Sequence, residues 1–307
     1  MSTDRPSPRT TPICDYEGST YRTDFWENQG REYEDLAERI ALKHLIPSSG
    51  KYLLDIGAGF GRLSNLYTAY DTVFLLDYST SLLREAQKQF GHTGRYRYVA
   101  ANFYHLPFAG DLIDTVVMVR VLHHAQDVAS VLAEIAHVLQ PMGSLVLEYA
   151  NKRHIKAILR YLTRRQDWNP FDHQPLEFVP LNFDFHPAYI CQHLRHEGFE
   201  ILQERAVSSF RLPALKRNLA PHWLATLDSL LQRPLASLKL TPSVFLHARL
   251  HDNTPSPPPG TIFCCPACRS EELIQTHEAL TCQNCSQAWP IVQGIYDFRW
   301  PLPSDAV

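Results

Sequence analysis

Residues 53–62 read Leu-Leu-Asp-Ile-Gly-Ala-Gly-Phe-Gly-Arg, an apolar run that leads directly into three glycines spaced two apart. Glycine lets a chain turn tightly and lets a ligand approach the backbone without a Cβ atom in the way. A helix that starts after such a turn offers its free N–H groups to the ligand. The stretch therefore predicts a strand, a ligand-binding turn and a helix, in that order.

Outward from this turn, short apolar runs alternate with stretches of helical periodicity. The pattern predicts helices at residues 31–46, 62–69, 81–90, 128–139 and 188–196, and strands at 52–56, 73–77, 96–100, 115–121, 144–149, 199–205 and 244–250. Strands that alternate with crossover helices form a parallel sheet covered on both faces. The expected fold class is α/β, with a doubly wound, mostly parallel sheet of seven strands.

Domain boundaries are expected where the composition changes. Residues 1–12 are predicted to form a flexible leader and residues 252–260 a Pro-rich linker, because proline continues neither a helix nor a strand. One α/β domain is expected at 13–251, with inserts at 151–186 and 206–242 where the alternation breaks. The second insert contains an amphipathic stretch that starts at Leu219 and either lines an apolar pocket or packs on the sheet.

Composition and charge exclude several classes of protein. The chain has 307 residues, 29 Lys and Arg against 32 Asp and Glu, and a formal net charge of −3, so no long-range field draws the whole molecule to nucleic acid or to an anionic membrane. No run approaches the 18 apolar residues of a membrane-spanning helix, and the first residues carry no apolar signal sequence. We expect a cytoplasmic protein that does not cross a membrane and does not bind DNA.

Two carboxylates accompany the glycine turn. Asp55 stands two residues before Gly57, and Asp77 ends the next strand about 20 residues on, where a carboxylate can accept hydrogen bonds from ribose hydroxyls. A nicotinamide dinucleotide would place its pyrophosphate over the turn, where Asp55 would repel it. S-adenosylmethionine (SAM) carries an ammonium and a sulfonium, which Asp55 attracts. The pattern therefore favours SAM over NAD.

Further motifs follow in order along the chain and resemble those of class I SAM-dependent methyltransferases. They are Ala-Asn-Phe-Tyr-His-Leu-Pro-Phe at 101–108, Asp-Thr-Val-Val-Met-Val-Arg-Val-Leu-His-His at 114–124 and Val-Leu-Gln-Pro-Met-Gly-Ser-Leu-Val-Leu at 138–147. Asn102 stands where family members often have Asp. The resemblance implies a Rossmann-like methyltransferase fold and transfer of a methyl group from SAM.

The resemblance also implies the set of cofactor-binding residues, which comprises Arg31, Asp55, Gly57, Ala58, Gly59, Gly61, Asp77, Tyr78, Asn102, Phe103 and Arg120. Asp55 with its neighbouring glycines is implied to hold the methionine end of SAM, Asp77 the ribose, and Tyr78 one face of adenine. Asn102 and Phe103 are implied to hold the adenine edge. Arg31 either contacts the SAM carboxylate or is a solvated arginine at a helix start.

Methyl transfer from a sulfonium is an in-line displacement. Such a reaction is strongly accelerated when the protein holds the two reacting atoms about 3–3.5 Å apart. A general base is needed where the nucleophile must lose a proton, and the candidates are His123, His124, Tyr149 and His186. Neighbours in an extended segment point to opposite faces, so at most one of His123 and His124 is expected to face the methyl group. The alternative is that this pair closes the strand by hydrogen bonding.

Five of the seven cysteines lie close together near the C-terminus. Cys265-Pro-Ala-Cys268 and Cys282-Gln-Asn-Cys285 have the spacing of two knuckles that surround one tetrahedral Zn²⁺ with four thiolates. Cys264 competes with Cys265 as the first ligand, and the Cys-Pro-x-Cys form favours Cys265. Disulfides or a redox pair are the alternatives, which the expected cytosolic setting disfavours. Four thiolates leave no open coordination position, so the zinc is expected to be structural.

Residues 261–303 are therefore expected to form a small zinc ribbon. Its stretch 282–298 resembles the zinc-ribbon proteins that bind and activate tRNA and translation-factor methyltransferases. The resemblance implies an interaction role, with an apolar strand around Ile291, Val292 and Ile295 that docks on the α/β domain or on a protein partner.

The resemblance to methyltransferases also limits which class of methyl acceptor we expect. Methyltransferases of exocyclic amino or amide nitrogens often carry an (Asn/Asp)-Pro-Pro-(Tyr/Phe) turn after the fourth strand, where this chain has Arg-Val-Leu-His-His-Ala at 120–125. We therefore expect a small-molecule or lipid-like acceptor. The alternatives are a methyltransferase of protein or RNA that the ribbon recruits, and a SAM-binding scaffold without turnover.

Overall fold

The computed structural model describes residues 11–19, 26, 29–91, 94–251 and 260–303. Most of the leader and of the linker predicted from sequence lies outside the described residues. The helices are α1 (Glu32–Leu45), α2 (Thr80–Phe90), α3 (Val128–Val138), α4 (Ile155–Leu162), α5 (Pro187–His196), α6 (Pro213–Asn218) and α7 (Pro221–Gln232).

The strands of the α/β part are β1 (Gly50–Ile56), β2 (Tyr70–Asp77), β3 (Tyr96–Ala100), β4 (Ile113–Met118), β5 (Leu139–Ala150), β6 (Leu176–Val179), β7 (Asn182–Asp184), β8 (Phe199–Val207) and β9 (Ser243–Leu250). Those of the C-terminal part are β10 (Leu273–Gln275), β11 (Ala279–Cys282), β12 (Ala288–Val292) and β13 (Ile295–Asp297). The α/β class predicted from the alternation of strands and helices is confirmed.

The prediction of a seven-stranded sheet is wrong. The described strands form one mixed sheet of 11 strands in the order β10-β11-β12-β13-β3-β2-β1-β4-β5-β9-β8, and β6 pairs with β7 in a separate hairpin. The last seven strands of that order, β3-β2-β1-β4-β5-β9-β8, are the seven expected ones. The other four come from the C-terminal part, because β13 runs parallel to β3 and pairs Ile295 with Tyr98 and Asp297 with Ala100. The open edge of β3 offers unpaired backbone groups, and β13 satisfies them.

Strand alternation divides the core between the two faces of the sheet. Leu53 and Leu75 face a core that α1 and α2 cover, whereas Leu54 and Phe74 face a core that α3 and α5 cover. Successive side chains of a strand point to opposite faces, so a strand buried on both sides is apolar almost throughout. The doubly wound arrangement thus follows directly from the apolar runs in the sequence.

The helix predicted at 62–69 is wrong, because the described chain makes only a single 3₁₀ turn at Ser64–Leu66. After the glycine turn, this segment must return along the full length of β1, which is about 20 Å for seven residues. Eight α-helical residues span only about 12 Å. The chain therefore takes looser turns, and Tyr67 becomes a buried core residue instead of a helix position.

The two inserts carry helices at the carboxyl side of the sheet. Residues 151–186 form α4 and the β6–β7 hairpin, and residues 206–242 form α6 and α7. The buried face of α7 packs on α1, where Asp228 accepts a hydrogen bond of 3.1 Å from the Tyr33 hydroxyl and Gln232 donates one of 3.0 Å to the Ala37 carbonyl. The helix packs on α1 and also contacts β8, so it packs on the sheet as one of the two alternatives expected.

The C-terminal part docks on the α/β part of the same chain and shares its core. The ring of Phe263 lies against those of Phe74 and Phe108, and the amide of Ala109 donates to the carbonyl of Ile262. Arg269 donates to the Leu106 carbonyl and pairs with Glu134. Docking in cis was one of the two outcomes expected for the ribbon.

In the part of the chain that the structure describes, no helix combines the length and the apolar character needed to span a lipid bilayer.

Candidate functional site

The glycine turn after β1 is held against β2. The amides of Gly57 and Ala58 donate to the carbonyl of Leu76 at 2.7 and 3.0 Å. Gly57 and Gly59 have φ angles of +71° and +54°, in the left-handed region. A Cβ on Gly57 would overlap Cγ2 of Val121 and lie 3.1 Å from its Cγ1. Only glycine lets the turn sit this close to the end of β4.

Asp77 lies at the end of β2 and faces the turn. Its Oδ2 accepts a hydrogen bond of 2.8 Å from the Gly59 amide, and its Oδ1 accepts one of 2.9 Å from the Ser79 amide. A carboxylate has about four acceptor positions, so positions are left for two hydroxyl donors. Burial raises the pKa of Asp77 to about 6. This arrangement suits a ribose diol.

Asp55, the last-but-one residue of β1, is only 3% exposed. Its Oδ2 accepts a hydrogen bond of 2.9 Å from the Tyr67 hydroxyl. Burial raises the pKa of Asp55 to about 7, against the opposing effects of Tyr67 and Arg62. The residue is therefore an acid that a cationic ligand would convert to its carboxylate.

Two small cavities flank the turn. One, of about 70 Å³, is lined by Gly57, Asp77, Tyr78, Phe103 and His124 among others. The other, of about 40 Å³, is lined by Asp55, Ala58, Arg62 and Arg120 among others. Ligand pockets usually measure about 300–1,000 Å³. Ile13, Cys14 and Tyr16 form part of the wall of the first cavity, and this small cavity must widen before a nucleotide can enter.

A group of paired charges surrounds the second cavity. Glu38, fully buried on α1, pairs with Arg120 and with Arg62, whose Nη2 lies 2.9 Å from Oε2 of Glu38. Burial by itself would raise the pKa of Glu38, but the two guanidinium groups outweigh it and lower the pKa to about 2. The ring of Trp26 lies 3.8 Å from the guanidinium carbon of Arg62.

The structure places Arg62 and Arg120 next to Asp55, whereas Arg31 lines a neighbouring cavity with Asp35 and Arg39. The role implied for Arg31 stays a prediction. Sequence reasoning missed Arg62 and Trp26. The available signal for Arg62 was its position directly after the glycine turn.

The two histidines do not lie in an extended segment, as the sequence reasoning assumed. Leu122–His124 form a 3₁₀ turn, and the rings of His123 and His124 are 4.0 Å apart between centroids. The strand ends at Met118, and the turn that follows breaks the alternation on which the opposite-faces argument rested. Of the two, His124 lines the cavity that contains Asp77.

The hydrogen bonds of His124 define its tautomer. Its Nδ1 lies 2.9 Å from the Leu181 carbonyl, which can only accept, so Nδ1 carries the proton. Its Nε2, 3.2 Å from the Tyr16 hydroxyl, is then the acceptor. Burial lowers the pKa of both histidines, that of His123 well below its usual value. His124 is therefore a neutral, oriented base at neutral pH.

The other two base candidates lie away from the cavities. Tyr149 is fully buried in the core, and its hydroxyl has no hydrogen-bond partner among the described residues. His186 caps the start of α5 and accepts from the Ala188 amide at 3.1 Å. Neither lines either of the two cavities beside the glycine turn.

Phe103 and Tyr78 line the cavity next to Asp77, as the implied adenine contacts require. The Oδ1 of Asn102 accepts a hydrogen bond of 2.9 Å from the Tyr104 amide. One acceptor position of Oδ1 and the two donors of Nδ2 are left for a base edge. Gly61 lines neither cavity but turns the chain with a φ of +80°.

Arg299, just after β13, connects the C-terminal part to this site. Its Nη1 donates to the Tyr78 carbonyl at 3.1 Å and lies 3.5 Å from Oε2 of Glu17. Glu17 in turn accepts from the Thr80 amide at 2.7 Å, at the start of α2. Sequence reasoning missed this contact, since 221 residues separate its two ends.

The second candidate site is formed by Cys265, Cys268, Cys282 and Cys285. Their four Sγ atoms all lie within 4.8 Å of one another, with pairs at 3.5 and 3.6 Å. These separations far exceed a disulfide bond of about 2.05 Å. A zinc ion with Zn–S bonds of about 2.3 Å in a tetrahedron needs sulfurs about 3.8 Å apart. The four thiols therefore fit a tetrahedral metal.

Cys264 points elsewhere, because its Sγ donates to the Phe108 carbonyl at 3.1 Å. The preference for Cys265 over Cys264 as first ligand agrees with this geometry.

Comparison with known proteins supports a methyltransferase domain. Residues 54–147 match the family model described as "Methyltransferase domain". An O-methyltransferase from Penicillium expansum is 27% identical over 147 residues, which cover 44% of this chain and 52% of that protein. A ubiquinone/menaquinone biosynthesis C-methyltransferase from Haemophilus ducreyi is 34% identical over 109 residues, 33% of this chain and 42% of that protein. The chain spans about half the length of the curated relatives it matches.

Solved structures show the same fold at low sequence identity. A chain of the Haloferax volcanii complex that contains the Trm112 methyltransferase activator is 16% identical, with a TM-score of 0.53 over 76% of this chain and 96% of that one. A SAM-dependent methyltransferase from Leishmania major is 14% identical, with a TM-score of 0.50 over 75% and 77%. The α/β part thus has the Rossmann-like fold of class I methyltransferases, which confirms the resemblance at that level.

Proposed function

We propose that this protein is a SAM-dependent methyltransferase of a small-molecule or lipid-like acceptor, with a structural zinc ribbon fused to it. The observation that carries the proposal is the convergence of Asp55, Asp77 and the Gly57 turn where β1 and β2 end. Ligands of open α/β sheets bind outside the carboxyl ends of the strands. The two relatives named above for O- and C-methyl transfer support the acceptor class.

The residues present fit SAM chemically. Asp55 would pair with the cationic methionine end, and Asp77 would accept from the ribose hydroxyls. Tyr78 and Phe103 would hold the adenine between aromatic surfaces. When bound, SAM supplies the electrophilic methyl group. The protein contributes a site that orients it and that residues 13–16 close against water.

Titration with SAM, with NAD as the competing ligand, tests this proposal. Because burial raises the pKa of Asp55 to about 7, a cationic ligand must drive off a proton at lower pH. SAM affinity is therefore expected to rise about tenfold per pH unit as the pH approaches 7, and to level off above it. Calorimetry in buffers of different ionisation enthalpy should show about one proton released per SAM near pH 6.

Asp55→Asn is the matched control, because it keeps the shape and removes the titration. In this variant the pH dependence between about pH 6 and 7 should disappear, whereas the contribution of Asp77 below about pH 6 should remain, and SAM should bind weakly at all pH values. The raised pKa also means that the ligand-free protein loses stability as the pH rises from about 4 to about 7. Asp55→Asn should therefore unfold at a higher temperature than the wild type at pH 8. A SAM affinity independent of pH, or tighter binding of NAD, would contradict the assignment.

His124 is proposed as the general base, since its Nε2 lone pair points to Tyr16 in the cavity next to Asp77. His124→Gln is expected to lower kcat by about 10²–10³-fold with catechol or hydroquinone acceptors, and to leave the Kd for SAM within about twofold. The measurement is release of S-adenosylhomocysteine together with calorimetry. His123→Gln is the control, and an equal loss in both variants would show that the pair has only a structural role.

We propose that the zinc ribbon has a structural role and takes no part in the methyl transfer itself. Zinc held by the four thiolates would fix β11 and β12, and through them β13 on the edge of β3. Arg299 then holds the Tyr78 carbonyl in place.

A further inference from the structure

An apolar and cationic surface covers the outer side of the two inserts. It consists of the exposed side chains of residues 155–165 and 212–238, and we call it the basic apolar surface. Leu159 and Leu162 of α4 are 54% and 67% exposed, and Trp223 and Leu230 of α7 are 60% and 69% exposed. Large side chains at such exposure, grouped in two neighbouring segments, mark a site of interaction.

One backbone hydrogen bond and one side-chain hydrogen bond join the start of α4 to the residues that follow α7. The amide of Ile155 donates to the Leu240 carbonyl at 2.8 Å, and Arg153 donates to the carbonyl of Leu238. Leu238 itself is exposed and continues the chain from the end of α7. The start of α4 therefore lies directly beside the residues that follow α7.

The charge of this surface has one sign. Residues 152–165 include six Lys and Arg side chains and no Asp or Glu. Lys156, Arg160, Arg164 and Arg165 are exposed, and among the described residues no ion pair links them to a carboxylate. In residues 206–242 the only acidic residue is Asp228, which is fully buried. The whole chain, by contrast, carries a net charge of −3.

On α4 the two kinds of side chain form adjacent stripes. Ile155, Leu159 and Leu162 follow the i, i+4, i+7 spacing of one helix face, and Lys156 and Arg160 follow beside them. Buried Ala157 marks the opposite face, which packs on the protein. A helix with one apolar stripe and flanking cations is typical of segments that lie in the plane of a bilayer surface.

We propose that the basic apolar surface docks on an anionic lipid bilayer. The aliphatic side chains and Trp223 would enter the acyl boundary, while the flanking Lys and Arg would bind lipid phosphates. A second copy of this chain is a poorer occupant, because a twofold interface would set the same cations against each other. Lipid phosphate complements both the sign of the charge and the apolar stripe.

Docking on a bilayer also bears on the identity of the methyl acceptor. This consequence rests on the proposed function, whereas the docking itself does not. The insert that carries α4 also carries Leu181, whose carbonyl orients His124. The ring of Phe171 in the same insert lies 6.4 Å from that of Tyr161 on α4. The insert that would contact the bilayer thus also orients the proposed base, and compounds dissolved in the bilayer would be the source of a lipid-like acceptor.

Co-sedimentation of the full chain with vesicles, without SAM or acceptor, tests the docking separately from catalysis. Vesicles of phosphatidylcholine and phosphatidylglycerol should bind the protein at least about tenfold more strongly than phosphatidylcholine alone, and high salt should remove most of the difference. The double variant Leu159→Glu/Leu162→Glu should lower the partition coefficient by about tenfold or more. Ile274→Glu, on the exposed edge strand β10, is the matched control and should bind as the wild type does.

Trp223 offers a second measurement. Brominated anionic lipids should quench tryptophan fluorescence in the wild type and less so in Trp223→Phe. Absence of binding to anionic vesicles, or equal binding by Leu159→Glu/Leu162→Glu, would overturn the proposal. A dimer in light scattering that this double variant dissociates would overturn it as well, since it would assign the surface to a second copy.

Discussion

Gly57→Ala is expected to destabilise the protein by about 2–5 kcal/mol and to abolish measurable SAM binding. The left-handed backbone at this position disfavours a side chain by about 1–2 kcal/mol. The added Cβ overlaps Val121, and such overpacking typically destabilises by a further 1–3 kcal/mol or so. Relief of the overlap would move the turn away from the end of β4, and with it the amides that line both cavities. Denaturant unfolding and SAM calorimetry measure the two effects.

Gly59→Ala provides the matched control two residues away. Gly59 has a similar positive φ, but a Cβ there would find its nearest neighbour, Leu82 Cδ1, at 4.0 Å. We expect this variant to lose only about 1–2 kcal/mol of stability from backbone strain. Val121→Ala combined with Gly57→Ala should recover the part of the loss that is due to overlap. Equal destabilisation by the two single alanine variants would show that the contact with Val121 has no role.

Loss of the metal is the second change with a large expected effect. Native protein should contain one zinc per chain, and Cys282→Ser should lose it and unfold residues 261–303. Structural zinc contributes about 10–16 kcal/mol in small zinc-binding peptides. Residues 261–303 are too few to form a core of their own, and the side chains that they bury against the α/β part do not replace that contribution. Elemental analysis gives the stoichiometry, and hydrogen exchange should show loss of protection in β13 and in its partner β3.

Cys264→Ser separates a ligand from a neighbouring buried thiol. The Cys264 Sγ donates to the Phe108 carbonyl, and a serine hydroxyl can make the same bond. This variant should therefore retain its zinc and its exchange protection. Zinc loss in Cys264→Ser, or zinc retained at full occupancy in Cys282→Ser, would disagree with the assignment of the four ligands. Because β13 unfolds with the metal, Arg299 should release Tyr78, and SAM affinity should fall in Cys282→Ser.

Much of the α/β part followed from local patterns. The apolar runs identified the strands: β3 was located at its observed bounds, β1, β2, β4, β8 and β9 within three residues of theirs, and β5 starts five residues before its predicted start. The prediction of a helix at 62–69 was wrong because a helix of that length is too short to return the chain along β1, although the residues have helical periodicity. Local periodicity carries no information about how far the chain must travel between two paired strands.

The parts of the site that lie close together in sequence could likewise be anticipated. Asp55 and Gly57 are separated by one residue, so their relation is a property of the strand and the turn. The tautomer of His124 could not be anticipated, because Leu181 and Tyr16, which define it, are 57 and 108 residues away. The position of Arg62 directly after the glycine turn was a local signal, but its pairing with Glu38 and its contact with Trp26 join residues far apart in the chain and could not be anticipated.

By itself the sequence determined the strand and the glycine turn with their two carboxylates, the order of the strands along the chain and the spacing of the four cysteines. These features depend on backbone geometry within a few residues, and residue type records that geometry directly. Only the tertiary structure decided that β13 extends the sheet at β3, that Arg299 reaches Tyr78, and that the cations of the inserts collect on one apolar surface. Such contacts join residues far apart in the chain, and they arise from which edges and faces are left unsatisfied once the local elements have formed.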